Sequence, residues 1–396
     1  MRVLLAADAA YAEPGNGAAR SVATLLEWLA QAGHSCRAVT TGRFEQSPGL
    51  TPRAHHDALG PVRRASGSRP AARFHHRGVD VTAIETVHAN AATPDPVGHA
   101  SFRAAVARAL RDKPDLMIAY GGDPIVHQAL RHARAQGTRT VFSLRAWGYE
   151  DRRWFTHADR VLAPSLYLAR GYRDRIGLHA DGIPSPLDAA AILAPPDARS
   201  FVTIVNPSPH KGAALFARLA AMLGVARSDI PLLIVESGRS AQMLAGVPGL
   251  NLAQYSQILT IPALPNPRDI YALTRILLVP SVFDEPFGRV AAEAMLNGIP
   301  PLVSDRGGLP ETVGPGGQVL PIPPWMRPDT RRIPEPHEVQ PWFDAVIRLW
   351  DDPAAYAAAA AQAQTTANAL YAEATLRPRY LAYLTDPGPY PPLFGD

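Results

Sequence analysis

The sequence predicts an α/β protein made of two Rossmann-like, doubly wound domains whose ligand loops face a central cleft, and three observations lead there. At 396 residues the chain is longer than one compact core usually supports. In both halves, short apolar runs alternate with stretches of helical spacing, the pattern of parallel crossover units. Residues 276 to 311 spell out one such unit in full. Ile276–Val279 has the length and composition of a buried strand, ended by Pro280 and Ser281; an acidic loop follows; Arg289–Asn297 reads as a helix closed by Gly298; Ile299–Val303 is the next strand. In open parallel sheets the loop at the carboxyl end of a strand is where ligands bind. The loop carrying Glu285 is therefore a site candidate.

Composition narrows the function classes. Hydrophobic content of 47% is enough for two cores. The single Cys36 cannot form an internal disulfide, no apolar run approaches 18 residues, and Met1–Asp8 enters a strand at once, so a cytoplasmic protein is expected. Net charge is only +4, from 39 basic and 35 acidic side chains. This suits anionic small ligands and argues against nucleic acid as a partner.

In the first half, Arg2–Ala7 is predicted as a strand and Ala18–Ala32 as a helix, with Val22, Leu25, Leu26 and Leu29 at helical spacing. The turn between them holds Gly15 and Gly17, which would let backbone approach a phosphate at the helix start. It is not the dinucleotide fingerprint, since Arg20 stands where the third glycine belongs. Residues 42 to 78 carry seven arginines and the pairs His55-His56 and His75-His76. With little apolar periodicity, this stretch is expected to be a flexible basic excursion, an acceptor-side flap or a patch touching an anionic acceptor or a membrane surface. Alternation resumes with strands at Val79–Ile84, Leu116–Ala119, Thr140–Leu144 and Asp159–Pro164 and helices at Ala100–Leu110, Ile125–Ala135 and Leu166–Ile176. Arg145 sits at the end of one of these strands and is a candidate for contacting a phosphate or acceptor anion. A Pro- and Gly-containing segment, 182 to 188, reads as the linker, so the domains are expected at 1–186 and 187–372.

The second half opens with a strand at Phe201–Val205 and a turn, Asn206 to Gly212, before the helix Ala213–Leu223. Lys211 at that helix start can neutralise a diphosphate. Leu232–Val235 is a strand with Arg239 beyond it; Leu259–Leu264 is a strand and loop; Asp269–Leu273 is a short helix whose Tyr271 reads as packing. Gln318–Ile322 is the last strand, residues 323 to 336 hold five prolines and read as a loop, and Val339–Trp350, Pro353–Ala369 and Glu373–Leu384 are helices.

Two carboxylates mark the central unit, Glu285 before its helix and Glu293 within it, with seven residues between them. The amides of Phe287, Gly288, Arg289 and Val290 lie where a helix leaves its first N–H groups unpaired and could hold a diphosphate while the carboxylates grip hydroxyls. This suggests nucleotide-sugar chemistry. The stretch Glu285 to Pro300, EPFGRVAAEAMLNGIP, with the turn Gly307 to Glu311, resembles the retaining glycosyltransferases of family 4 (glycosyl transferases group 1) and their Glu-x7-Glu motif. That resemblance implies the GT-B fold and a retaining hexosyltransferase acting on a nucleotide diphosphate sugar, UDP-sugar before GDP-sugar, with no metal cofactor. The expected acceptor is a small molecule, a glycan or a lipid-linked compound, which the sequence does not name, and the basic residues of 42–78 are the expected place of any peripheral membrane contact.

By the same resemblance Glu285 would hold the sugar hydroxyls and Glu293 the ribose. Lys211 and the amides of Gly288 to Val290 would hold the leaving diphosphate, and backbone near Pro262 would read the base. Gly15 and Gly17 would face the diphosphate and acceptor, and the final helix would cross back onto the first domain. Two departures stand out. Asn206 replaces the family's first basic residue, for which Arg239 could substitute, and Arg145 stands where a histidine is common, while His127 and His157 cannot be promoted from sequence. The rival readings are a non-catalytic nucleotide-sugar-binding protein and an epimerase or phosphorylase of the same fold.

Overall fold

The computed structural model describes residues 1–44, 51–65, 69–85, 95–236, 252–264, 266–330 and 332–394. The chain forms two compact units, Met1–Pro186 with Leu376–Asp396, and Leu187–Thr375.

The first unit runs β1 (Arg2–Ala7), α1 (Gly17–Gln31), β2 (Ser35–Thr41), α2 (Pro52–Leu59), β3 (Arg63–Ala65), β4 (Ala71–His76), β5 (Val79–Ile84), α3 (Pro96–Leu110), β6 (Leu116–Tyr120), α4 (Pro124–Ala135), β7 (Arg139–Ser143), β8 (Arg160–Ala163), α5 (Leu166–Ile176) and β9 (Asp181–Gly182). Its sheet has the order β3-β4-β5-β2-β1-β6-β7-β8-β9. From β5 to β9 every pairing is parallel, and β3 and β4 add an antiparallel edge. The order reverses direction between β1 and β6, the switch point of a doubly wound sheet. Leu4 and Ala6 of β1 and Met117 and Ala119 of β6 pack on Phe102, Val106, Ile125 and Leu130 of α3 and α4. Each buried Leu, Ile, Val, Phe or Met side chain among them contributes roughly 1.5–3 kcal/mol.

Within 42 to 78 the described residues form α2, β3 and β4, which for them corrects the expectation of a flexible excursion; residues 45–50 and 66–68 lie outside the described residues. Thr51 caps α2 by accepting from the Ala54 amide at 3.2 Å, with Pro52 in its first turn. His55 and His56 are 4% and 0% exposed. The His55 Nε2 is 2.7 Å from the Tyr11 carbonyl, and the His56 ring lies 5.4 Å from that of Phe74. β4 alternates properly, with Ala72 and Phe74 buried and Arg73 and His75 outward. Reading each histidine as polar hides this pattern, because a neutral imidazole among rings packs as an apolar plate. His75 and His76 hold separate partners, Asp80 at 2.9 Å and the Leu59 carbonyl at 2.8 Å.

The second unit runs α6 (Ala189–Ile192), β10 (Phe201–Val205), α7 (Ala213–Ala226), β11 (Leu232–Val235), β12 (Ile258–Ile261), α8 (Pro267–Leu273), β13 (Thr274–Val279), α9 (Arg289–Leu296), β14 (Pro301–Ser304), α10 (Leu309–Val313), β15 (Gln318–Leu320), α11 (Pro336–Asp351) and α12 (Pro353–Tyr371). Among the described residues its strands are all parallel, in the order β12-β11-β10-β13-β14-β15. This is the doubly wound 3-2-1-4-5-6 order, with its switch point between β10 and β13. One face packs Val202, Ile204 and Leu302 against Phe216, Leu219, Val339, Trp342 and Val346.

The last helix, α13 (Glu373–Thr385), carries the chain back into the first unit. The Tyr380 hydroxyl lies 2.9 Å from the Pro184 carbonyl and 3.2 Å from that of Ile183, and its ring meets Trp28 edge-on at 6.2 Å.

Candidate functional site

At the switch point of the second unit, the loops after β10 and β13 leave the sheet side by side. The first ends in a single 3-10 turn, Pro209–Lys211, closed by Gly212 at φ 80°. A Cβ on Gly212 would lie 1.9 Å from the Pro280 carbonyl oxygen, so only glycine lets the two loops come this close. The Val282 amide donates to the His210 carbonyl at 3.0 Å and zips them together. The consequence is chemical: the Lys211 ammonium donates to Glu285 Oε1, joining the two loops in one ion pair. The Ser281 hydroxyl donates to the same oxygen at 2.7 Å, and Glu285 is 6% exposed.

The backbone beneath Glu285 is set by the turn that follows β14. Gly307 has φ 61°, and a Cβ there would stand 2.2 Å from the Glu285 nitrogen. The Gly308 amide donates to the Glu285 carbonyl at 2.7 Å. The turn Gly307 to Glu311 thus serves as the seat of the acidic loop.

Gly288 is the N-cap of α9, and among the described residues no side chain caps this helix. Its first turn presents backbone N–H groups where a helix has no intrahelical acceptor for them. Phe287 is held from behind, as the Thr312 hydroxyl donates to its carbonyl and its ring meets Tyr371 edge-on at 5.6 Å. One turn along α9, Glu293 is 1% exposed. Its Oε1 accepts from Arg289 Nε at 2.6 Å and its Oε2 from the Tyr271 hydroxyl at 2.6 Å. A carboxylate this buried requires such donors. Tyr271, expected to be packing, is therefore also a polar partner of the second glutamate. Asn297, which caps the end of α9, donates to the Glu293 carbonyl at 2.9 Å and to the Ile192 carbonyl at 3.0 Å. Gly298 is the residue after the cap, at φ 66°.

The remaining candidates are placed as follows. Asn206 follows β10 at φ 52°, its amide donating to the Val235 carbonyl at 2.8 Å. Pro262 is exposed, just past the edge strand β12. Arg239 lies outside the described residues. In the first unit Gly17 opens α1 and Gly15 sits in the turn before it, while Asn16 between them caps the helix, accepting from Ala18 and Ala19 at 3.1 and 3.0 Å. Arg145 is 7% exposed; its Nε donates to Ser143 Oγ at 2.8 Å and its Nη1 to Ser185 Oγ at 3.2 Å. The rings of His127 and His157 meet edge-on with centroids 4.8 Å apart, and burial lowers both pKa values. Asp8, not singled out by sequence, bridges the first unit's own switch point, accepting from the Asp123 amide at 2.7 Å. Among the described residues no three His, Cys, Asp or Glu side chains gather as a metal-ligand set, and no helix is long and apolar enough to cross a membrane.

Two doubly wound α/β units with mainly parallel sheets are the architecture of the GT-B fold. The comparisons with known proteins agree. The model of the family described as "Glycosyl transferases group 1" matches residues 187–366, nearly the whole second unit. Among curated proteins, the chain is 37% identical over 83 residues to D-inositol 3-phosphate glycosyltransferase of Corynebacterium aurimucosum, a match covering 21% of this chain and 17% of that relative's length. Among solved structures, sucrose-phosphate synthase from Thermosynechococcus elongatus aligns with TM-score 0.67 at 18% identity, over 97% of this chain and 98% of that one. Anabaena HepE, solved in complex with UDP and glucose, aligns with TM-score 0.68 at 17% identity, over 97% and 99%. A glycosyltransferase from Rickettsia africae aligns with TM-score 0.66 at 13% identity, over 97% of each chain. The structural likenesses establish the GT-B fold, and the family match supports a glycosyltransferase.

Proposed function

We propose that this protein transfers a hexosyl group from a nucleotide diphosphate sugar, UDP-sugar in preference to GDP-sugar, to an acceptor hydroxyl, with retention at the anomeric carbon. The observation that carries this reading is the junction of Lys211 and Glu285 across the switch point, beside the start of α9. Lys211 and the first amides of α9 would take the diphosphate, whose negative charge grows as the sugar departs. Preorganised donors aimed at such a developing charge are a large source of rate enhancement. Glu285, fixed by Lys211 and Ser281, would accept from sugar hydroxyls, and Glu293, fixed by Arg289 and Tyr271, would orient the ribose end. The acceptor would attack from the face the diphosphate leaves, with a phosphate oxygen taking its proton. Lys211 and the helix amides supply the counter-charge in this scheme, so no metal ion is invoked. HepE, of the same fold, has been solved with UDP-glucose, which favours UDP-glucose as the first donor to try.

The test is donor turnover by the full chain across a panel of nucleotide sugars, with Glu285→Ala beside wild type. The variant should bind the nucleotide and lose transfer; near wild-type turnover would falsify the assignment. Release of nucleotide from the donor without added acceptor separates a catalyst from the rival reading of a sugar-nucleotide binder, to which Asn206 in the place of a basic residue lends weight.

A further inference from the structure

In the first unit a second concave surface lies away from the switch point. Along β2, β5 and β4 the register aligns Arg37 with Asp80, Val39 with Thr82, Thr82 with Arg73, and Ile84 with Ala71. These side chains share one face, and with the flank of α3 they line a groove of about 610 Å3. The groove stays open because α3 turns mostly small residues toward it, Ser101, Ala105 and Ala109 at helical spacing, before Arg108 and Asp112. Its floor includes the buried apolar side chains of Val39 and Ile84.

The rim is basic. Arg37 pairs with Asp112, and Arg69 grips Asp95 through two bonds, 2.8 and 3.3 Å long. Asp80 is matched by His75 at 2.9 Å. Arg73 and Arg108 also line the groove, both are exposed, and among the described residues neither has a carboxylate partner. The groove thus offers two guanidinium forks of the planar geometry that suits phosphate oxygens, above an apolar floor that can take a carbon skeleton. Doubly wound sheets bind their main ligands at the switch point, here between β1 and β6, whereas this groove lies over β2, β5 and β4.

We propose that this groove is an accessory site for a phosphate-bearing ligand, its phosphate held by Arg73 and Arg108 and its carbon body laid along Val39 and Ile84. The ligand is either a soluble phosphomonoester or the headgroup of an anionic phospholipid, two sources of the same chemistry. The site is independent of the function proposed for the second unit.

The test uses the full-length chain as wild type, as Arg73→Ser/Arg108→Ser, and as Lys211→Ala. The soluble probe is sn-glycerol 3-phosphate, followed by calorimetry, and the lipid probe is phosphatidylcholine vesicles with or without phosphatidic acid, followed by sedimentation. Because both arginines are exposed, the double variant should melt like wild type. If the ligand is soluble, wild type and Lys211→Ala bind glycerol phosphate alike and the double variant binds it at least about tenfold more weakly, the scale of losing one charged hydrogen bond. If it is a headgroup, only the phosphatidic acid vesicles bring the protein down, in an arginine-dependent and salt-sensitive way. Binding of neither probe overturns the site, as does equal binding by the double variant. Phosphate binding that disappears in Lys211→Ala alone would assign it to the second unit and likewise overturn the site, leaving the proposal about Lys211 standing.

Discussion

The Tyr271 hydroxyl donates to Glu293 Oε2 at 2.6 Å, and Arg289 Nε donates to the other oxygen at the same distance. A carboxylate that is 1% exposed is thus fixed from both sides by residues of two helices, α8 and α9. Removing one donor from a buried charged group costs more than removing it from an exposed one.

Tyr271→Phe keeps the ring packing and deletes that donor. Stability measured by denaturant unfolding should fall by roughly 1.5–3 kcal/mol, the range for hydrogen bonds to charged groups. The KM for the donor should rise while kcat changes little, because Glu293 is proposed to bind and not to react. An unchanged melt together with an unchanged KM would remove Tyr271 from the site.

Gly212→Ala tests the close approach of the two switch-point loops. The new Cβ would meet the Pro280 carbonyl oxygen at 1.9 Å, and alanine is strained at φ 80°. The left-handed conformation alone costs about 1–2 kcal/mol, and the backbone clash adds to it. The loops should part, so that nucleotide affinity measured by calorimetry falls even where the variant remains folded. Lys211→Ala supplies the comparison, and wild-type affinity in Gly212→Ala would show that the approach is not needed to place Lys211.

Stability should also depend on pH through His56. Burial, with His55 and Arg64 nearby, lowers its pKa from 6.5 to about 4, and among the described residues neither ring nitrogen has a hydrogen-bond partner. The folded state thus resists a proton that the unfolded chain accepts below 6.5. Above that pH both states are neutral and His56 contributes no pH dependence. As pH falls from 6.5 toward 4 the unfolded state gains the proton first and stability declines, by up to about 3 kcal/mol, and below 4 the loss levels off. His56→Phe, stacked on Phe74, should flatten this part of a plot of unfolding free energy against pH; an unchanged slope would place the proton elsewhere.

How much of this was legible in the sequence follows from which interactions are local. Strand bounds such as Phe201–Val205 and Leu232–Val235, and the α5 helix with its Ser165 cap, come out as read, since apolar runs and caps are properties of neighbouring residues. The two glutamates were visible through their spacing. Their partners were not, because Lys211 is 74 residues from Glu285 and Tyr271 lies on a different helix from Glu293. The order of the described residues within 42–78 does not show in the sequence, because their burial arises from pairing β4 with β5 and from packing His56 against Phe74 and His55 against Phe44, none of which reads as apolar periodicity.

By itself, then, the sequence determined the alternation of strands and helices, the place of the acidic loop and the chemistry of the residues on it. The tertiary structure decided which of them meet. Lys211 reaches Glu285 because β10 and β13 are neighbours at the point where the sheet order reverses, and because Gly212 can lie against Pro280. Arg37, Arg73 and Arg108 line one groove because parallel and antiparallel registers bring β2 and β4 onto one face beside α3. Register and strand order are set by the packing of the whole sheet, so no local stretch of the chain can specify them.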